Sequence, residues 1–318
     1  MKKIYFLFFM ALLPLLASAV VKRTIHVDQA GTLSNYISED DKYQIEELIL
    51  TGEINGDDLR LIREMAGCSF DRYHSLTGNE KLIILDLSGI NIVAGGGAYY
   101  LFNLGYENLS YHFYRIENNN EIPAYAFSSS HLQKIILPVN ITSIRECAFF
   151  CSDNLKSIII PNSVTSIGGS AFYRTAWYDN QPDGVVYVGK VAYNYKGNMP
   201  ANTTLTLKNG TKVIASGAFS GCSTLSSVKI PNSVTSIGGG AFYGTAWYDN
   251  QPDGVVYAGK VLYKYKGTMP YGTTINIKEG TLGIAGEALY GNSDLPSITI
   301  PNSVISIGSS AFYNCIIR

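Results

Sequence analysis

The chain has 318 residues, with 24 Lys+Arg against 25 Asp+Glu and a formal net charge of −1. Only 15% of the residues are charged, so nothing supplies the positive excess that drives sequence-independent binding of nucleic acid. Four His and five Cys leave little material for metal chemistry, whereas 31 Gly and 23 Tyr stand out.

At the N-terminus Lys2 and Lys3 precede the apolar run Ile4 to Leu16 and the small residues Ala17-Ser18-Ala19. This is the pattern of a secretory leader cut before Val20, so residues 1–19 are read as a signal peptide and the mature chain as secreted, on the cell surface or periplasmic. The first cysteine after the run is Cys68, which speaks against a lipoprotein anchor. No later stretch approaches the roughly 20 apolar residues that cross a bilayer, so the chain is not expected to span a membrane.

Residues 20–116 are irregular. Ile45-x-x-Leu48-x-Leu50 and Leu82-x-x-Leu85-x-Leu87 have the spacing of short strands, and Asp57 to Met65 reads as a helix with Leu59, Ile62 and Met65 on one face. Glu39-Asp40-Asp41 lacks the alternating spacing of a calcium loop and reads as a solvated turn. Gly95-Gly96-Gly97 has no phosphate-binding context and reads as a loop. His26, His74, His112 and His131 show no zinc spacing, and no nucleophile-elbow or metalloprotease string occurs. No catalytic, cofactor or metal site is expected, and the chain is not read as an enzyme.

From residue 117 onward a repeat takes over. Pro-Asn-Ser-Val starts at Pro161, Pro231 and Pro301, and 231−161 = 301−231 = 70. Over residues 161–200 and 231–270 only six positions differ: Ser170/Gly240, Arg174/Gly244, Val188/Ala258, Ala192/Leu262, Asn194/Lys264 and Asn198/Thr268. Inside this period, Ala-Phe pairs at Ala126, Ala148, Ala171, Ala218, Ala241 and Ala311, with Ala288-Leu289, recur at 22, 23 or 47 residues. The long spacing is one 23-residue unit plus an insertion of 24. Within a unit, Leu155-x-x-Ile158-x-Ile160 alternates as a short strand, Pro161-Asn162 turns, Val164 to Ile167 extends again, and Gly168-Gly169 leads into the Ala-Phe corner. A single unit buries too few side chains to fold alone, so neighbouring units must stack and cover one another.

The insertions, about 178–201 and 248–271, each read as a β-hairpin. In the first, Gly189-Lys190 is a two-residue turn of the II′ kind. Val186, Val188, Val191, Tyr193 and Tyr195 then share the face laid on the rod, while Tyr187 and its counterpart Tyr257 stand on the other, beside Asn194 or Lys264. Two readings of these tyrosines stay open, hairpin packing and paired aromatic contact points. At the C-terminus Ile316 and Ile317 either fold back as a seal or leave an open edge, and a truncated gene is a third alternative.

The motif Leu-x-x-Ile-x-Ile-Pro-x-Ser-Val-Thr-Ser-Ile-Gly-x-x-Ala-Phe resembles the repeat of the BspA-like leucine-rich repeat proteins of bacterial surfaces, specifically over residues 132–318. The resemblance implies adhesive or interaction modules, some of which bind host matrix proteins, and it carries no catalytic residues. The expected fold is a β-rich (α/β) repeat solenoid, a leucine-rich repeat rod of about nine coils with two β-hairpin insertions. Residues 20–116 would be its N-terminal cap with degenerate leucine-rich coils, and 117–318 the solenoid proper.

The outward positions of the main strands are the leading candidates for partner binding: Lys134, Ile136, Ile159, Thr206, Lys229, Asn276 and Thr299, with Tyr187 and Tyr257 beside them. The expected partner is a protein of a host or bacterial surface. The alternative is a glycan stacked on Tyr187, Tyr257 and the nearby Trp177 and Trp247. Cys151, Cys222 and Cys315 fall at one corner, two or more coils apart, too far for disulfides, and are read as small apolar thiols.

Overall fold

The computed structural model describes residues 20–70, 78–103, 111–293 and 295–316; the expected leader, His74 and Ile317 lie outside them. The chain opens with β1 (Lys22–Val27) and α1 (Glu39–Lys42). Glu39-Asp40-Asp41 forms the first turn of α1, where the Ser38 hydroxyl accepts the Asp41 N–H at 3.1 Å. Then come β2 (Glu47–Ile54), α2 (Gly56–Met65), β3 (Ile84–Ile92) and the hairpin β4 (Gly95–Asn103) and β5 (Tyr111–Ile116). A capping box between Asn55 and Asp58 starts α2, which buries Leu59, Ile62 and Met65 as expected. Gly95-Gly96-Gly97 opens a strand and is not a loop. A Cβ on Gly56 would stand 2.2 Å from the Gly97 carbonyl oxygen, so α2 and β4 meet backbone to backbone, which only glycine permits.

The repeats continue with β6 (Glu121–Ile122), β7 (Lys134–Ile136), β8 (Ser143–Ile144), β9 (Ser157–Ile159) and β10 (Ser166–Ile167). The first insertion gives α3 (Ala176–Asp179), β11 (Gly184–Val188) and β12 (Val191–Lys196), followed by β13 (Thr203–Thr206), β14 (Val213–Ile214), β15 (Leu225–Lys229) and β16 (Ser236–Ile237). The second gives α4 (Ala246–Asp249), β17 (Gly254–Ala258) and β18 (Val261–Lys266), followed by β19 (Thr274–Asn276), β20 (Gly283–Ile284), β21 (Ser297–Thr299) and β22 (Ser306–Ile307).

Each regular unit contributes one strand to each of two parallel columns. One column holds the sheet β1-β2-β3-β7-β9 and the pairs β13-β15 and β19-β21, and the other begins with β6-β8-β10. The registers Lys22↔Glu47, Glu47↔Ile84 and Ile84↔Lys134 make the early strands rungs of the same ladder as the repeats. Among the described residues the stack has about 12 turns, not nine. The early turns escape a search at 23 residues because their strand-to-strand lengths are 47−22 = 25, 84−47 = 37 and 134−84 = 50.

The insertions add rungs as well. Hairpin β11/β12 has Gly189-Lys190 at its tip, with φ positive at Gly189 alone of the two, as a II′ turn requires. Strand β12 then pairs parallel with β14, Val191 on Val213 and Ala192 on Ile214, so the inserted segment is itself a turn of the stack. In the first column α3 stands where a strand would be, with the Trp177 N–H donating to the Leu155 carbonyl at 2.7 Å. This helical turn exists because Thr175 caps it, accepting from the Tyr178 N–H at 3.1 Å and donating to the Phe172 carbonyl at 2.9 Å. The Lys196 ammonium then ties down the carbonyls of Asp179 and Gln181.

The Ala-Phe corners line up in a column. Phe127, Phe149 and Phe172 stack at 5.6 Å intervals, and Phe219 stacks on Phe242 at 5.4 Å. Each corner donates a backbone N–H to the Ala carbonyl of the next: Phe127 to Ala148 at 2.7 Å, Phe149 to Ala171 at 2.8 Å and Phe219 to Ala241 at 2.8 Å. At the insertions that acceptor is missing, and a tyrosine hydroxyl replaces it. Tyr193 accepts the Phe172 N–H at 3.2 Å and Tyr263 the Phe242 N–H at 2.9 Å, each ring lying edge-on to its phenylalanine.

Candidate interaction surface

Strand alternation sends Ile135 and Ile275 into the core and their neighbours outward. The outward side chains are aligned in rows across the rungs, because parallel pairing keeps equivalent positions adjacent, unbroken in β3, β7 and β9 and in β19 and β21, and past the shift at Thr203/Thr204 in β13 and β15. Lys134 stands beside Ser157 and Ile136 beside Ile159 on β7 and β9. Thr206 stands beside Lys229 on β13 and β15, and Asn276 beside Thr299 on β19 and β21. The rows reach into the cap, where Ile84 precedes Lys134 and Asp86 precedes Ile136. Ile159 is 50% exposed, and Ile84 and Ile136 are half-buried. The hydroxyl-rich face is therefore interrupted by an apolar strip of isoleucines on the five-stranded sheet, flanked by Lys134 and Asp86.

The nine candidate residues do not form one patch. Helices α3 and α4 cut the strand column into three sheets, separating Lys134, Ile136 and Ile159 from Thr206 and Lys229, and those from Asn276 and Thr299. Tyr187 and Tyr257 do not stand beside Asn194 and Lys264. Tyr187 faces Ala192 and Tyr257 faces Leu262, and a β-bulge just beyond them sets Asn194 opposite Val186 and Lys264 opposite Val256. The Tyr187 hydroxyl accepts the Lys208 N–H at 3.0 Å and the Lys208 ammonium lies 4.3 Å from the ring centre; Tyr257 and Lys278 repeat this at 3.1 and 4.5 Å. One face of each ring is thus taken by a lysine. Trp177 and Trp247 pack on Phe172 and Phe242 at 4.9 and 4.7 Å.

Two features were not read from the sequence. A recess of about 310 Å³ on the second column is walled by Ser216, Ser236, Gly238, Gly239, Glu287 and Ser309. Its signal was the small pair after each Ile, Gly168-Gly169 and Gly238-Gly239 among them. A cavity of about 200 Å³ also lies between the β4/β5 hairpin and the first repeat turns. Its residues are scattered along the chain, so no local pattern announces it. All five cysteines are unpaired; Cys68 is buried, which pushes its thiol up to about 11, and the other four are half-buried. Among the described residues no group of three or more His, Cys, Asp or Glu could hold a metal ion, and no helix is long and apolar enough to cross a membrane.

The model of the BspA-type leucine-rich repeat region matches six copies, over residues 187–250 and 263–318. These residues carry BspA-type leucine-rich repeats. Similar solved structures include three bacterial leucine-rich repeat proteins. That of T. pallidum is 22% identical, with 61% of this chain and 69% of that one covered and a TM-score of 0.23. A leucine-rich cell surface protein from Faecalibacterium prausnitzii A2-165 is 23% identical, covering 58% and 59% with a TM-score of 0.20. A leucine-rich repeat protein from Bacteroides ovatus ATCC 8483 is 18% identical, covering 86% and 65% with a TM-score of 0.26. The chain thus spans less than two thirds of the last two. Comparison with curated proteins gives no match.

Proposed function

We propose that this chain is an exported, non-catalytic scaffold that works at the bacterial cell surface by binding a protein partner, and that the outward face of its five-stranded sheet is the contact surface. The observation that carries this reading is the in-register pair Ile136 and Ile159, an apolar strip on a rigid sheet with Lys134 and Asp86 at its margin. Exposed apolar side chains rimmed by polar ones mark protein contacts, and repeat proteins bind along such extended faces. Thr206, Lys229, Asn276 and Thr299 continue the same side of the rod and extend the contact for a long partner. Adhesion to a host or bacterial surface protein is the form this binding takes.

The test is capture of surface-exposed host and bacterial proteins by immobilised residues 20–318, comparing wild type with Ile136→Asp/Ile159→Asp. The double variant is expected to lose at least about tenfold in affinity, or roughly 1.4 kcal/mol, with its circular dichroism unchanged. Equal capture by both proteins overturns the assignment of the face.

A further inference from the structure

The near-zero net charge conceals a separation of charge along the rod. Residues 20–183 carry 12 Lys+Arg against 20 Asp+Glu, and residues 184–318 carry 10 against 5. The separation is drawn out on one edge, the row of loops through which each turn passes from the first column to the second. Neighbours on this edge touch rung by rung. Val27 is paired with Gly52, which brings Asp28 beside Glu53, and Glu53 is paired with Asn91. The Asn140 side-chain amide donates to Asn91 Oδ1, and the Ser163 hydroxyl donates to the Val139 carbonyl at 3.0 Å. A Cβ on Gly189 would lie 4.0 Å from Asn162 Oδ1, and the Lys212 N–H donates to the Lys190 carbonyl at 2.8 Å. From the first rung onward the edge is therefore acidic (Asp28, Glu53), then uncharged (Asn91, Val139, Asn140, Asn162), then basic (Lys190, Lys208, Lys212).

This order complements itself in one arrangement. Val139, in the middle of the uncharged stretch, is 67% exposed. Glu53 lies two rungs before it and Lys190 two rungs after; Asp28 lies three rungs before and Lys212 three after. A two-fold axis through Val139, perpendicular to the edge, thus sets Glu53 against Lys190 of a second copy and Asp28 against its Lys212, with one exposed valine on the other. Copies laid parallel would meet acid to acid and base to base, which is penalised. The groups are available: Glu53, Lys190 and Lys212 are exposed and, among the described residues, have no ion-pair partner in their own chain. Asp28 accepts the Tyr36 hydroxyl at 3.1 Å and lies 3.5 Å from the exposed His26 ring, yet its side chain is 78% exposed.

We propose that two copies of the chain associate antiparallel along this edge as a closed two-fold dimer, held in register by Glu53 with Lys190 and Asp28 with Lys212. The contact uses the edge of the rod and leaves the sheet face to the protein partner. Exposed ion pairs are individually weak and are screened by salt, so the dimer is reversible and sensitive to ionic strength.

The test is sedimentation velocity on mature residues 20–318 over a range of concentrations. The wild type is expected to pass from monomer to dimer without larger species, and raising NaCl from about 0.05 to about 0.5 M should weaken the dimer at least about tenfold. Glu53→Lys and Lys190→Glu, each at an exposed site, should each weaken it at least about tenfold with circular dichroism unchanged. Mixing these two variants should restore a dimer within about threefold of wild-type strength, because the mixed pair sets Lys against Glu at both contacts. The chain carrying both changes should recover likewise. A wild type that stays monomeric, forms open polymers or associates equally well in high salt overturns the proposal, as does failure of the two variants to rescue each other. Capture of anionic polymers by the monomer, lost in Lys190→Glu and kept in Glu53→Lys, would assign the lysines to another ligand and also overturn it.

Discussion

Each corner of the stack holds two residues in the left-handed region, at the positions just before and three after the alanine. Ser170 (φ 55°) and Arg174 (φ 53°) fill them in one unit, and Gly240 and Gly244 in its duplicate. Two of the six differences between the duplicated segments are thus explained by backbone geometry, since a side chain is strained there and glycine is not. Ser170→Gly and Arg174→Gly should each stabilise the protein by about 0.5–1 kcal/mol, read from urea denaturation, and Gly240→Ser with Gly244→Arg should cost as much. Arg63 makes the opposite case. It is 2% exposed and donates to the carbonyls of Tyr125, Ala126 and Ser69, pinning α2 to the first repeat corner. Arg63→Ala removes a charged donor from three carbonyls, of which only that of Tyr125 is seen to keep another, the Ser128 N–H, and should destabilise by more than about 3 kcal/mol, visible as a lowered melting temperature. A loss under about 1 kcal/mol would show that the contact does not hold the cap.

At the scale of elements, the insertions are joined to the corners by tyrosine hydroxyls. Tyr193→Phe or Tyr263→Phe leaves a buried N–H, of Phe172 or Phe242, without an acceptor and should cost about 1–3 kcal/mol each. Burial raises both phenols from 10.0 to about 12. An unfolded tyrosine ionises above pH 10 while the folded one resists, so their contribution is complete below pH 10 and is lost as pH rises toward 12. Alkaline unfolding between those values should be steeper in the wild type than in the double Phe variant. The hairpins, their turns and the Ala-Phe corners were legible because each lies within one stretch of chain and recurs. Helical turns α3 and α4 were not, since Ala-Trp-Tyr-Asp becomes a helix only through the Thr175 cap and the distant Lys196. The hydroxyl bridges likewise join residues 21 apart. The neighbour of Tyr187 was misread because a bulge at Tyr193 sets Asn194 opposite Val186 and breaks the alternation beyond it.

For the whole molecule, stability in a stack depends on what lies on either side of a turn. Ile167 and Ile237 are 4% and 0% exposed, whereas the equivalent Ile307 on β22 is 54% exposed, and Ile316 at 57% does not fold back over it. The same substitution should therefore differ in cost along the rod: about 2–5 kcal/mol for Ile237→Ala and under about 1 kcal/mol for Ile307→Ala. Amide exchange should be faster in β20 and β22 than in β8 and β10. The stacking was readable from period alone, but the number of turns was not, because the cap turns vary in length. The cavity beneath the β4/β5 hairpin was invisible for a similar reason, its walls being drawn from Tyr99 to Glu146 with no shared spacing. The most direct test of a rod that binds by its sheet face is photo-crosslinking to a captured partner, with benzoylphenylalanine placed at Ile159 or at Tyr243, a 70% exposed residue at the Ala-Phe corner. Crosslinks from position 159 and none from position 243 are predicted; crosslinks from 243 with position 159 silent would contradict it.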